Sequence, residues 1–228
     1  MFCFSGSEYS YLTTMAELKE SKDFIENLIT TGIINTDWPK KTYLIVVCKN
    51  KRGKVIWKKK YQTLPNQSGR LPNENHTERQ MLNDQKFIDQ VEPGKFRDII
   101  LTSNYSPCKE CAKDLINFFQ ERTELELTIR FSHPYEKKHE NHLEGLKDLD
   151  RAGITLEAMT GKSWLDVLMS EELFSYMVLK FMFDLDPGAV YIRDVATREK
   201  LAKLLRSDSG AEGIVDEMSG LNVESDSD

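Results

Sequence analysis

Two short motifs in this chain of 228 residues combine the side chains that bind zinc and move protons. His76 and Glu78 stand two residues apart, and Cys108 and Cys111 form a C-x-x-C pair directly after Pro107. Zinc that activates water keeps three protein ligands and one open position, and it accepts imidazole and thiolate together. His76, Cys108 and Cys111 therefore predict a three-ligand zinc site.

The spacing of the two cysteines suits the start of a helix. Residues three apart lie on the same helix face, so both thiols can point at one metal if a helix begins near Pro107. Ser106 is the predicted N-cap, and Pro107 is the predicted first helical residue. The positive end of the helix dipole would then lower the pKa of both thiols.

Glu78 is the predicted proton carrier. A carboxyl beside an activated water can take a proton from it and deliver that proton to a ring nitrogen and then to a leaving amine. We do not expect Glu78 to be a zinc ligand. The arrangement H-x-E followed by P-C-x-x-C is typical of zinc-dependent nucleobase deaminases.

A C-x-x-C pair has two other common roles, as a redox pair or as half of a structural zinc site. The remaining cysteines, Cys3 and Cys48, do not form the second C-x-x-C that a four-cysteine site needs. We therefore favour the three-ligand zinc site and keep a redox pair or structural zinc as the alternative interpretation of this motif.

The negative charge of the chain is concentrated at its end. The net charge is −6, from 31 basic and 37 acidic residues. Seven of these acids lie in 207–228, which holds no Lys or Arg, so the rest carries 30 acids against 31 bases, a formal +1. We expect a disordered, solubilising tail, or alternatively an acidic mimic that competes with nucleic acid for the site. The near-neutral body lacks the strong basic footprint of a tight nucleic-acid binder.

Length and cysteine content indicate the broad class of protein. The length suits one domain with modest extensions, and four cysteines argue for a reducing compartment rather than a disulfide framework. The first residues do not have the pattern of a signal peptide, and no stretch approaches the length of a membrane span. We expect a cytoplasmic or nuclear protein without membrane contact, as a monomer or weak oligomer.

The elements that must position the motifs alternate between strands and helices. Helices are predicted over 15–29, 76–91, 107–119, 140–152, 164–183 and 195–205. Strands are predicted over 41–48, 55–57 with an extension through three lysines, 96–103, 125–131 and 154–159. Strands separated by helices need crossover connections, so the second half of the sheet should include parallel pairing. The predicted fold class is α/β, with a five-stranded mixed sheet flanked by about six helices.

Three regions are predicted along the chain. Residues 1–38 form an N-terminal helical extension that Trp38-Pro39 ends, 39–206 form the main domain, and 207–228 form the acidic tail. Within the main domain, the turn-forming residues of 64–75 predict a loop of the kind that commonly carries substrate selection. The lysines at 58–60 predict a solvated strand end or, alternatively, a phosphate clamp.

The cysteine motif and the residues after it resemble a known family. Ser106-Pro107-Cys108-x-x-Cys111-Ala112 is similar to the hallmark motif of the AID/APOBEC polynucleotide cytidine deaminases. Further matches follow at the family's spacing, in Glu144-Gly145-Leu146, Leu149, Ala152-Gly153-Ile154 and Met159-Thr160. The resemblance covers about residues 40–185 and implies a cytidine-deaminase-like fold.

The resemblance implies a reaction and a cofactor. It implies hydrolytic deamination of cytosine to uracil in single-stranded DNA or RNA, with one catalytic zinc held by His76, Cys108 and Cys111. Glu78 would be the acid and base. By analogy alone, the biological role would be mutation or restriction of foreign nucleic acid, or RNA editing. The alternatives are a deaminase of free cytidine or deoxycytidine, and a zinc-binding pseudo-deaminase that works as a binding protein.

The resemblance also implies substrate contacts. Tyr105 and Tyr135 would stack on a base that has left its strand, as aromatic side chains commonly do, although both could instead be packing residues. Ser106 and Asn104 would line the same pocket. Two positions depart from the family pattern: His133 stands where Arg or Lys is usual, and one of the lysines at 58–60 stands where an asparagine is expected.

Overall fold

Five strands form one mixed sheet in the order β2-β1-β3-β4-β5, as seen in a computed structural model of the chain. The structure describes residues 15–34, 36–63, 75–91, 96–135, 142–171, 173 and 186–206. The strands are β1 (Tyr43–Lys49), β2 (Val55–Gln62), β3 (Asp98–Tyr105), β4 (Glu126–His133) and β5 (Thr155–Ala158).

Helices lie on both faces of this sheet. In the described ranges they are α1 (Met15–Thr30), α2 (Thr77–Leu82), α3 (Gln85–Val91), α4 (Lys109–Gln120), α5 (His142–Arg151), α6 (Gly161–Ser170) and α7 (Pro187–Arg206). The α/β class with a five-stranded mixed sheet is confirmed. The single helix predicted over 76–91 is two helices, because Asp84 starts a new one: its carboxylate accepts a hydrogen bond from the backbone N–H of Lys86.

The pairing of the strands brings the two motifs to one end of the sheet. β1 pairs antiparallel with both β2 and β3, whereas β3–β4 and β4–β5 are parallel, which confirms the parallel pairing expected in the second half. Because β3 and β4 are parallel, their carboxyl ends meet at the same edge, where Tyr105 is paired with His133. The segment that follows β3 leads directly into the cysteine motif.

Two apolar clusters hold the helices against the two faces of the sheet. The larger one joins alternate residues of β1, β3 and β4, such as Val46, Leu101 and Ile129, to the helices on that side. The smaller one joins α1 to Ile45 and to α6. The predicted apolar face of α1 is confirmed at four described positions, Phe24, Ile25, Leu28 and Ile29. The boundary predicted at residue 38 stays a prediction.

The last helix begins earlier than predicted. The segment Asp186-Pro187-Gly188 is predicted to break a helix, and a short helix is predicted over 195–205. α7 instead runs from Pro187 to Arg206, so the predicted start of the last helix is wrong. Residues 174–185 lie outside the described ranges, so the break stays a prediction. Proline suits the first turn of a helix, and the Asp186 carboxylate accepts a hydrogen bond from the backbone N–H of Gly188.

A buried ionic cluster joins α7 to the first helix. Arg193 donates hydrogen bonds to the carbonyl oxygens of Ile29, at 2.9 Å, and of Thr31. It also contacts Asp194 at 2.7 Å, and the Asp194 carboxylate accepts the indole N–H of Trp164 at 2.7 Å. A buried charge needs such partners, so this cluster fixes how α1, α6 and α7 pack together.

The three lysines of β2 form ion pairs within the protein. Lys58 and Lys60 both contact the buried carboxylate of Glu171, at 2.9 and 2.8 Å. Lys59 contacts Asp84 at 2.5 Å. These side chains tie the edge strand to its neighbours, and they do not line the cavity described below.

Several predictions fall outside the described residues. They concern the acidic tail at 207–228, the loop over 64–74, and the part of the helix predicted over 164–183 that begins at 174. In its described part that prediction is wrong, because the helix is α6, which begins at Gly161 and ends at Ser170 with Glu171 as its C-cap. In the part of the chain that the structure describes, no helix is long and apolar enough to span a membrane.

Candidate functional site

Two helix N-termini bring the metal-binding side chains together. His76 is the N-cap residue of α2, and Cys108 is the N-cap residue of α4, both in extended backbone conformation. Cys111 lies in the first turn of α4 and is fully buried. The predictions that Ser106 caps this helix and that Pro107 is its first residue are wrong, because Cys108 is the N-cap. The Ser106 hydroxyl instead accepts the backbone N–H of Tyr135 at 2.9 Å.

The distances between these side chains fit a metal site. The Nδ1 atom of His76 lies 3.2 Å from the Sγ atom of Cys111 and 3.4 Å from that of Cys108. The three ligand atoms all lie within 4.8 Å of one another, so the group could hold a metal ion. Nitrogen and sulfur atoms at zinc-bond lengths in a tetrahedron stand about 3.6 Å apart, close to the observed spacing. In the described residues, Glu78 is not a member of this group.

The electrostatics of the two thiols favour a cation. A hydrogen bond from Cys111 lowers the pKa of Cys108 to about 4, and hydrogen bonds with His76 and the backbone N–H of Cys111 add to this effect. The same bond between the thiols, together with burial, raises the pKa of Cys111. A thiolate at Cys108 is therefore favoured beside His76, whose pKa is raised by its hydrogen bond to Cys108.

Glu78 lies in the first turn of α2 with only 5% of its surface exposed. Its Oε2 atom accepts a hydrogen bond from the Thr77 hydroxyl at 3.1 Å. Burial raises the pKa of this carboxyl above its ordinary value. A raised pKa brings a carboxyl closer to the range in which it can both hold and release a proton, as a general acid and base must.

A cavity of about 560 Å³ opens onto this group. Six of the residues predicted for the site line it: His76, Glu78, Tyr105, Ser106, Cys108 and Tyr135. The rings of Tyr105 and Tyr135 stand edge to face with their centroids 6.0 Å apart, and the Tyr105 hydroxyl donates to the Pro39 carbonyl at 3.0 Å. The structure therefore brings a carboxyl, the thiol of Cys108, an imidazole and two aromatic rings into one space, while the Cys111 thiol lies beside them and is fully buried.

Asn104 lies outside this cavity. It is fully buried, and its side-chain oxygen accepts the backbone N–H of Tyr43 at 2.8 Å. Its amide nitrogen donates to the Lys41 carbonyl at 3.0 Å and to the Thr31 hydroxyl at 3.3 Å. These bonds fix the segment before β1, which forms one wall of the cavity, so the structure places Asn104 as a support behind that wall.

Several cavity residues were not singled out by their spacing. The segment before β1 and the ends of β2 and β4 supply most of them: Trp38, Pro39, Lys40, Thr42, Thr63, His133 and Pro134. These residues are far apart in the chain and form no motif. The sequence held one indication of this wall, because Trp38 is a large aromatic residue next to a proline and a lysine. In the structure, 42% of its surface is exposed. Its ring packs on that of His133 at a centroid distance of 4.8 Å.

Comparison with known families agrees with this geometry. The model of the family described as Invertebrate-AID/APOBEC-deaminase matches residues 24–213, which is most of the chain. The match confirms the resemblance seen in the cysteine motif and extends it to α1 and α7. The chain therefore belongs to the invertebrate AID/APOBEC deaminase family.

Proposed function

We propose that this protein is a zinc-dependent deaminase that converts cytosine to uracil in single-stranded DNA or RNA. The observation that carries the proposal is the cavity that His76, Cys108 and Glu78 share with Tyr105 and Tyr135. Zinc ligands, a buried carboxyl and aromatic walls in one space are what hydrolysis of an extruded base requires. Family membership supports the reaction class.

His76, Cys108 and Cys111 would hold the zinc. Two thiols and one imidazole are a donor set that zinc accepts, and three protein ligands leave one position open. Bound zinc supplies Lewis acidity, which lowers the pKa of water and so provides a nucleophile near neutral pH.

Glu78 would move the protons of the reaction. Hydrolysis forms a bond from water oxygen to C4 of cytosine and breaks the bond from C4 to the amine, which leaves as ammonia. The carboxylate takes a proton from the attacking water and gives it to ring nitrogen N3, and it then carries the second proton to the departing amine. Burial raises the pKa of Glu78, which strengthens its hold on a proton between the two transfers and so suits this double use.

The two tyrosines would hold the base. Stacking on aromatic rings contributes about 1–3 kcal/mol per base and tolerates any base, because every base has a flat face. Tyr135 is fixed for this role by the hydrogen bond from its backbone N–H to Ser106, which ties the segment after β4 to the cysteine motif.

A uracil-release assay tests the proposal. Single-stranded DNA, matched RNA and free cytidine are each incubated with the zinc-loaded protein and with Glu78→Ala, which should keep zinc and fold but lose turnover. Uracil in an oligonucleotide, absent with Glu78→Ala, is the expected result. Product from free cytidine alone would support the second candidate, a nucleoside deaminase, which the near-neutral charge of the body favours. Activity retained in Glu78→Ala would refute the proposed proton carrier.

A further inference from the structure

The two helices that carry the metal-binding side chains are joined by an ion pair. The Nε atom of Arg79, on α2, lies 2.6 Å from the Oδ2 atom of Asp114, on α4. Arg79 stands three residues after His76, and Asp114 stands three residues after Cys111. Because residues three apart lie on the same face in neighbouring turns, the ion pair connects the helices about one turn behind the ligands.

We propose that Arg79 and Asp114 are positioning residues of the metal centre. Their ion pair fixes α2 against α4 and thereby holds His76 and Glu78 at the separation from the two cysteines that metal binding and proton transfer need. The inference rests on the proposed function, and it names the contact that keeps the two halves of that site together.

The division of the site between two helices makes their relative position critical. His76 and Glu78 lie at the start of α2, whereas Cys108 and Cys111 lie at the start of α4. Zinc binds imidazole at about 2.0–2.1 Å and thiolate at about 2.3 Å. These lengths vary by only about 0.2 Å, so a shift of α2 by about 0.5 Å would disturb the centre.

The other contacts of α2 with α4 are less directional. α2 has six residues, and a helix of that length depends on tertiary contacts for its position. Met81 of α2 and Leu115 of α4 belong to the same apolar cluster, but apolar packing has no preferred direction. Among the described residues, the contacts of His76 with the cysteines are the other side-chain polar contacts between these helices. The ion pair is therefore the contact that can fix their relative position before a metal binds.

A second ion pair on α4 provides a comparison. Lys109 contacts Glu144 at 2.9 Å and joins α4 to α5, which supplies none of the three ligands. The side chains of Arg79 and Asp114 are 23% and 33% exposed, whereas those of Lys109 and Glu144 are 50% and 44% exposed. Partial shielding from water strengthens an ion pair, so the pair between the two ligand-bearing helices is the better placed to hold a geometry.

The test measures metal binding without substrate. Asp114→Asn, Arg79→Gln, the double variant and the control Glu144→Gln are prepared as full-length, zinc-loaded proteins. Asp114→Asn and Glu144→Gln each remove one carboxylate charge and keep the size of the side chain, so they are matched. The dissociation constant for zinc is measured by competition with a chromogenic chelator, and Co²⁺ is then substituted for zinc because its visible spectrum depends on ligand geometry.

Asp114→Asn should weaken zinc binding about tenfold, as loss of a group that orients metal ligands commonly does, and should change the Co²⁺ spectrum. Glu144→Gln should change neither. The double variant should bind zinc no more weakly than Arg79→Gln, because both substitutions remove the same contact. In the uracil-release assay, Asp114→Asn should lower kcat with little change in KM, since Tyr105 and Tyr135 do not lie on either helix.

Other results would overturn the inference. One is an unchanged zinc dissociation constant and Co²⁺ spectrum in Asp114→Asn, even with a lower melting temperature, because the ion pair would then only stabilise the fold. Others are an equal loss of zinc affinity in Glu144→Gln, and additive losses in the double variant. Failure of the proposed function is read separately, as the absence of uracil from every substrate with the unmodified protein, since the zinc measurements need no turnover.

Discussion

Replacement of Asn104 by alanine should destabilise the protein without removing a substrate contact. The three hydrogen bonds of this side chain join β3 to the segment before β1. In Asn104→Ala, the backbone N–H of Tyr43 and the carbonyl of Lys41 lose their partner, while the Thr31 hydroxyl still donates to the Asn27 carbonyl at 2.7 Å. Both of these hydrogen bonds are only partly buried, so each should contribute about 0.5–1.5 kcal/mol, and the free energy of unfolding should fall by roughly 1–3 kcal/mol.

The neighbouring residue provides the matched control. The hydroxyl of Ser103 is buried without a hydrogen-bond partner in the described structure, so Ser103→Ala removes an unsatisfied group and should leave the stability unchanged or higher. Both variants are compared with the unmodified protein by urea denaturation, followed by circular dichroism and tryptophan fluorescence.

Two results would refute this reasoning. If Asn104→Ala unfolds at the same urea concentration as the unmodified protein but binds substrate poorly, the residue contacts substrate as the family resemblance implies. If Ser103→Ala is as damaging as Asn104→Ala, the cost comes from disturbing β3 in general and not from the lost hydrogen bonds.

Three further predictions concern acid stability, a backbone conformation and the metal. Burial opposes the charge on Glu171, but ion pairs with two lysines hold the pKa of this carboxyl below its ordinary value. Its contribution to the free energy of unfolding is therefore complete above the ordinary pKa and is lost as the pH falls through the pKa of the folded state. Glu171→Gln should flatten the acid side of a profile of melting temperature against pH. Gly32→Ala should lower the free energy of unfolding by roughly 1–2 kcal/mol because its φ is +84°, and by more because the new Cβ would lie 2.9 Å from Nδ1 of His133. Gly53→Ala, at φ +74° with nothing within 4 Å of the new Cβ, should show the backbone cost alone. Urea denaturation measures both. Chelation of the metal should lower the melting temperature of the unmodified protein but not that of Cys108→Ala, because ligation contributes folding free energy.

The chemistry of the centre could be predicted from the sequence because it depends on residue type and spacing. A histidine, two cysteines three apart and a proline are enough by themselves to indicate a helix start and a metal group. The strands were also predictable, since buried runs of branched residues such as those of β1 have few alternatives. What failed was the exact start of several helices, such as α4 and α7, because a helix start depends on single capping contacts like that of Asp84.

The walls of the cavity could not be predicted in the same way. Trp38, Thr63 and His133 come together only because β1, β2 and β4 end at one edge of the sheet, and no local pattern reports that meeting. Asn104 shows the opposite error. Its position beside the cysteine motif suggested that it lines the cavity, but its side chain forms hydrogen bonds with the backbone of Tyr43 and Lys41 instead. The spacing of residues in the sequence therefore predicts the metal ligands well and the residues that line the cavity poorly.

The contact of Arg193 with the end of α1 has a consequence for how the chain folds during its synthesis. The carbonyl oxygens of Ile29 and Thr31 are made early, and the guanidinium that binds them is made more than a hundred residues later. A nascent chain can form the first hairpin while it is still attached to the ribosome, but α1 cannot reach its final packing until α7 has emerged. α1 can therefore complete its packing only after α7 has been synthesised, and the same holds for the cavity wall that follows α1.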